Sequence, residues 1–71
     1  MDVKELIKSK GYDSITVANA IGMHSNSFYK RVNGHVPFKA NEIRDIAKFL
    51  GVTDAEVLFA TFETKERYSK K

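Results

Sequence analysis

The stretch DSITVANAIGMHSNSFYKRVNG, residues 13–34, decides the fold of this chain. It opens with Asp13, whose carboxylate can accept hydrogen bonds from the free backbone amides at the start of a helix. Apolar residues then recur at helical spacing until Gly22 ends the run. These residues are Val17, Ala18 and Ile21. The first half of the stretch therefore predicts a short helix over residues 14–21.

The second half of the stretch predicts another short helix, over about residues 24–32, after a tight turn. Phe28 and Val32 are four residues apart and share one face of this helix. Asn33 and Gly34 end it, because both tolerate the left-handed backbone of a helix C-terminus. Two short helices joined in this way predict a helix-turn-helix, in which the first helix braces the second against DNA.

Two further helices are predicted on either side of this stretch. One covers about residues 2–10, and its apolar residues are Val3, Leu6 and Ile7. The other follows Pro37, which breaks any helix at that point. Its apolar residues recur at helical spacing until Gly51 ends the run. They are Ile43, Ile46, Ala47 and Leu50.

The C-terminal part of the sequence predicts a fifth helix and a polar end. Thr53 and Glu56 have the spacing of a capping box, in which each side chain accepts a hydrogen bond from the backbone amide of the other residue. After Phe62 the chain turns polar and charged. No segment shows the alternation typical of a strand. We therefore predict an all-α, five-helix domain over residues 1–62, followed by a polar C-terminal tail over residues 63–71 that is frayed or only conditionally ordered.

The excess of positive charge lies in the centre of the chain. The formal net charge is +3, and no acidic residue lies between Ser14 and Asn41. Three basic residues and both histidines fall in this window. They are Lys30, Arg31, Lys39, His24 and His35. Such a distribution can face a polyanion, although a gap of this length between acidic residues also arises by chance.

Composition also argues against several classes of protein. A chain without cysteine has neither disulfides nor thiolate metal sites, which favours a reducing compartment. Two histidines alone do not make a zinc site, and no serine has the base and orienting group that a nucleophile needs. No apolar run reaches the roughly 18 residues of a membrane span, and the N-terminus lacks the features of a signal peptide. We expect a cytoplasmic protein that is no enzyme and uses no cofactor or metal.

The stretch over residues 13–34 resembles the Cro and CI type, or lambda-repressor-like, family of helix-turn-helix proteins. The resemblance covers about residues 6–58 and extends through a segment that ends in Leu-Gly-Val. The residues that carry it are Ala18, Gly22, Phe28, Asn33, Gly34, Ala47, Leu50 and Gly51. It implies a transcriptional regulator that binds double-stranded operator DNA as a homodimer. Among the members of the family, a phage Cro-like repressor fits this length best, and a plasmid or chromosomal regulator or an antitoxin stays open.

The resemblance also implies roles for nine residues. Two of them face the bases: Ser25 and Asn26. Three face bases or the DNA backbone: Ser27, Tyr29 and Lys30. Four contact or flank the backbone: Ser14, Asn33, His35 and Lys39. Lysine at position 39 departs from the serine or threonine that many members place before the fourth helix, and Arg31 stands where many have an apolar residue.

Other interpretations of the same residues remain open. A polar first turn is common on ordinary surface helices, because caps and turns select the same residue types, and Tyr29 could equally cover a helix junction. A rival function is that of an antirepressor or modulator that binds another repressor protein and has little affinity for DNA. Phe62 is a candidate for a dimer interface, whereas Phe59 could equally close the core over Leu58.

Overall fold

The computed structural model describes residues 1–69, and the side chains of residues 1–64. Within this part of the chain there are five α-helices and no strand. The helices are α1 (Val3–Ser9), α2 (Ser14–Ala20), α3 (Ser25–Val32), α4 (Ala40–Leu50) and α5 (Asp54–Ser69). The all-α, five-helix fold predicted from the sequence is confirmed.

Side chains of the preceding residues cap the first two helices. At the start of α1, an Asp2 carboxylate oxygen accepts from the Glu5 amide at 2.9 Å, and a Glu5 carboxylate oxygen accepts from the Asp2 amide at 3.0 Å. Asp13 caps α2 by accepting from the Thr16 amide at 2.8 Å. Hydrogen bonds from Thr16 hold the pKa of Asp13 below its ordinary value, and the bond from the Thr16 side chain has a larger effect than the bond from its backbone. The Asp13 carboxyl group is therefore ionised at neutral pH.

One apolar core joins all five helices. Its buried residues are Val3, Leu6, Ile7, Val17, Ala18, Phe28, Val32, Ile46, Ala47, Leu50, Val57 and Ala60. Phe28 is the largest of the fully buried side chains. The ring of Phe38, from the segment between α3 and α4, meets the Phe28 ring edge-on, with the centroids 5.8 Å apart. The core thus holds α3 from one side and leaves its other side facing outward.

Helix α5 extends further than the sequence predicts. The polar segment from residue 63 onwards, where the sequence predicts a polar tail, is helical through Ser69, and residues 70–71 lie outside the described part. Thr64 is buried, and its hydroxyl accepts from the Val3 amide at 3.0 Å and donates to the Ala60 carbonyl at 2.9 Å. The amide of Val3, in the first turn of α1, has no acceptor within its own helix. A buried amide needs a partner, and Thr64 supplies it.

The outward side of α5 carries three large apolar side chains. Leu58 is 40% exposed, Phe59 63% and Phe62 55%. The rings of Phe59 and Phe62 lie edge to face, with their centroids 6.4 Å apart. The helix reaches the core through Val57 and Ala60 instead. The interpretation of Phe59 as a residue that closes the core over Leu6 and Leu58 is therefore wrong, because most of its side chain lies outside the core.

Candidate nucleic-acid interface

Helices α2 and α3 are joined by a turn whose geometry depends on glycine. The Gly22 amide donates to the Asn19 carbonyl at 3.1 Å, and the Met23 amide donates to the Ala18 carbonyl at 2.9 Å. These two bonds form a Schellman motif, which needs a left-handed residue at its centre. Gly22 has a φ of 73° and meets that need without steric cost. The turn predicted from Gly22 is confirmed.

His24 caps the start of α3. Its Nδ1 atom accepts a hydrogen bond from the Asn26 amide at 3.1 Å. In a neutral imidazole whose Nδ1 accepts, the proton is on Nε2. Since His24 is exposed, this second nitrogen can donate to a ligand that approaches the first turn of α3. The cap fixes the start of the helix that carries most of the predicted site.

The two sides of α3 differ as the sequence predicts. Phe28 and Val32 are buried in the core. The predicted DNA-facing residues of this helix are not in the core. Asn26, Tyr29 and Lys30 are exposed, and Ser25 and Ser27 are half-buried. The helix therefore presents short polar side chains over its first turn and a tyrosine and a lysine over its second.

The four remaining predicted site residues lie on other segments. Asn33 is half-buried at the C-terminal cap of α3, and His35 is exposed two residues later. Lys39 is exposed and immediately precedes α4. Ser14 opens α2 beside the ionised Asp13 carboxylate, which would repel a phosphate at that point. The proposed contact between Ser14 and phosphate stays a prediction.

Ser14 and Tyr29 border a groove that the sequence does not predict. The groove encloses about 290 Å³, and its walls come from α1, α2, α3 and the α1–α2 connection. It is lined by Lys4, Ile7, Lys8, Tyr12, Asp13, Ser14, Ile15 and Tyr29. The four-residue spacing of Lys4 and Lys8 places both on one side of α1. Which helices that side approaches depends on tertiary packing, which the spacing does not reveal.

Comparisons with protein-family models, curated proteins and solved structures found no match. The resemblance to the lambda-repressor-like family therefore remains a prediction. Among the described residues, no group of three or more histidine, aspartate or glutamate side chains is arranged to hold a metal ion. None of the described helices combines the length and the apolar character needed to cross a membrane. The function of the α3 surface has to be inferred from its own shape and chemistry.

Arg31 differs from the other basic residues near α3. Its Nε donates to a Glu42 carboxylate oxygen at 3.1 Å, and its Nη1 donates to the Ser27 carbonyl at 3.1 Å. The side chains of Arg31 and Glu42 are only 15% and 14% exposed. The same Glu42 oxygen accepts from the Lys39 amide at 2.8 Å. Arg31 thus joins α3 to the start of α4, and its charge is neutralised. Lys30 and Lys39, which also lie beside α3, form no ion pair with any side chain of residues 1–64.

The Arg31–Glu42 pair gives a prediction about stability. We expect Glu42→Gln to lower the free energy of unfolding by about 1 to 2 kcal/mol, because a poorly solvated guanidinium loses its counter-charge. Glutamine keeps an oxygen that can accept from the Lys39 amide, so the variant measures the effect of the lost negative charge alone. Arg31→Met leaves the Glu42 carboxylate without its counter-charge and also removes the bond to the Ser27 carbonyl, so it should cost at least as much. Urea denaturation of both variants tests this, and an unchanged free energy of unfolding for Glu42→Gln would contradict it.

Proposed function

We propose that this chain is a sequence-specific DNA-binding transcriptional regulator, a repressor of the phage Cro-like kind, acting in the cytoplasm of a bacterial or phage-infected host cell. It would place the first turn of α3 in the major groove of a double-stranded operator. One observation carries the proposal. Phe28 and Val32 anchor α3 in the core, while its outward side presents Asn26, Tyr29 and Lys30 to solvent.

The chemistry of this outward side fits base recognition. The major groove of DNA admits an α-helix, and an asparagine can form two hydrogen bonds with adenine there. Asn26 lies in the first turn of α3, between two half-buried serines whose short side chains project little from the helix. Short neighbours let the helix backbone approach the base edges. His24 adds a donor at the same end of the helix.

The exposed cations beside α3 fit contacts with the DNA backbone. Lys30 lies on the helix itself, and Lys39 lies just before α4. Phosphate contacts fix the position of a protein on the duplex but carry no sequence information directly. The proposal thus assigns base recognition to Asn26 and Ser25, and orientation to the two lysines.

Two variants of α3 separate these roles. We expect Asn26→Ala to cost about 1 to 3 kcal/mol at a single base pair and to relax the preference there. Lys30→Ala should weaken binding to all sequences about equally, because a phosphate contact mostly contributes charge. Both variants would be titrated against duplexes selected from a random-sequence library and their point variants. An Asn26→Ala protein with the preferences of the parent would rule out the proposed docking.

A second copy of the chain is the proposed partner of α5. Symmetric operators place half-sites about 34 Å apart, whereas the longest dimension of the domain is 32 Å. Two copies are therefore needed to place one α3 helix in each half-site. Leu58, Phe59 and Phe62 form an apolar surface on α5 that a second copy could cover. A homodimer joined there would bind DNA as one unit.

A second candidate function is that of an antirepressor or modulator that binds another repressor protein. The Arg31–Glu42 pair favours it, because it removes one cation from a surface with a modest positive charge. In that case the apolar surface of α5 or the polar side of α3 would contact a protein. Titration of a random-sequence duplex, with and without a candidate partner repressor, separates the two functions. Binding to DNA alone favours the first.

A further inference from the structure

We infer that the groove between α1 and α2 is a second contact site for the phosphate backbone of DNA, with Lys4 and Lys8 as its positively charged residues. The inference rests on the proposed function and extends it to a helix outside the α2–α3 pair. It assigns the flanking DNA backbone to α1. Neither lysine belongs to the central window in which the sequence concentrates its positive charge.

Several groups that can bind phosphate converge on this groove. Lys4 and Lys8 are exposed, and within residues 1–64 neither lysine forms an ion pair. Two tyrosines line the groove with them, Tyr12 and Tyr29, and Ser14 lies at its Asp13 side. Since Tyr29 lies on α3, the groove is continuous with the surface proposed to enter the major groove. A duplex held by α3 would bring its backbone past Tyr29 towards the two lysines.

The charge balance of the groove remains positive. Asp13 also lines it, and its lowered pKa keeps the carboxylate charged. That carboxylate already accepts from the Thr16 amide. Two lysines against one aspartate leave one net positive charge. Phosphate is therefore favoured at the lysine side of the groove and disfavoured at its Asp13 side, next to Ser14.

The arrangement fits a chain of phosphates better than a single small anion. Four residues of helix rise by about 6 Å, so Lys4 and Lys8 present two charges along one line. Ile7 and Ile15 lie between and beside the polar residues and give the groove an apolar floor. An open groove of this kind does not enclose one ion. A polyanion running along it can reach both ammonium groups.

The test measures how DNA binding depends on salt. Each phosphate contact contributes about 0.9 to the slope of log affinity against log salt concentration. We expect the double variant Lys4→Ala/Lys8→Ala to reduce this slope by about 2 on a short random-sequence duplex, between about 50 and 200 mM salt. Alanine is a good helix former and both sites are exposed, so the fold should persist. Circular dichroism checks this.

Lys48→Ala is the matched control. Lys48 is an exposed lysine on α4, in a groove beside Ala20 and Ile21 at the other end of α2. Its removal should leave the slope unchanged. The inference is overturned if the double variant keeps the parent slope while Lys30→Ala reduces it. It is also overturned if Lys48→Ala reduces the slope by as much as each of the two lysines in the double variant does. If the parent protein does not bind the duplex at all, the proposed function fails as well.

Discussion

Phe28→Ala is expected to lower the free energy of unfolding by about 3 to 5 kcal/mol. The Phe28 side chain is 1% exposed and meets the ring of Phe38 edge-on. Its removal deletes the largest fully buried side chain and leaves a cavity between α3 and the rest of the core. A domain of this size is stable by only about 4 to 10 kcal/mol. The variant should therefore be barely folded at ordinary temperature.

Urea or thermal denaturation measures this loss, and Tyr29→Ala is its control. Tyr29 is the next residue of the same helix, so the change in helix propensity is similar, but its side chain is 41% exposed. We expect the control to remain close to the parent protein in stability. A near-native midpoint for Phe28→Ala would show that this side of α3 does not face the core. The placement of Asn26 on the outward side would then fail with it.

Local spacing was sufficient to predict most of the fold. The phase of α3 follows from Phe28 and Val32 alone, since two apolar residues four apart define one side of a helix. The start of α5 follows from Thr53 and Glu56, whose reciprocal hydrogen bonds are present at 3.1 and 3.2 Å. Such features depend on residues within one turn of each other. Sequence carries that information directly.

Features that depend on distant residues were not predictable in the same way. In the sequence Thr64 lies in a polar segment, but its hydroxyl accepts a hydrogen bond from the Val3 amide, 61 residues away. In the sequence, Arg31 is one of the cations of the central window. In the fold, α4 places Glu42 against Arg31, and the two side chains form an ion pair. Glu42 follows that acid-free window directly. In both cases a polar side chain has a role that only tertiary packing creates, so composition misassigns it.

The same limit applies to the candidate site. The side of α3 that faces outward was predictable, because the helix has only one apolar side. The groove that joins Tyr29 to Lys4 and Lys8 was not, because it needs three helices in their final arrangement. The sequence thus predicted the residues proposed to read bases, whereas the residues proposed to hold the flanking backbone could be found only in the folded chain.

Phe62→Glu is expected to weaken self-association and DNA affinity together. Phe62 is 55% exposed on the apolar side of α5, and a carboxylate there would be buried without a partner if a second copy covered it. Loss of the dimer removes the second half-site. Linking two binding sites raises overall affinity by about 10² to 10⁴-fold, so affinity for a symmetric duplex should fall by a factor in that range.

Sedimentation and DNA titration of the same samples, at one fixed salt concentration, test this expectation. Phe49→Glu is the control, because it makes the same substitution at a phenylalanine on α4 whose ring contacts Tyr12 and lies outside the α5 surface. It should leave the oligomeric state unchanged. If Phe62→Glu barely affects DNA binding while Asn26→Ala abolishes binding to another repressor, the modulator function is favoured. A Phe62→Glu protein that stays dimeric and binds DNA fully excludes α5 as the interface.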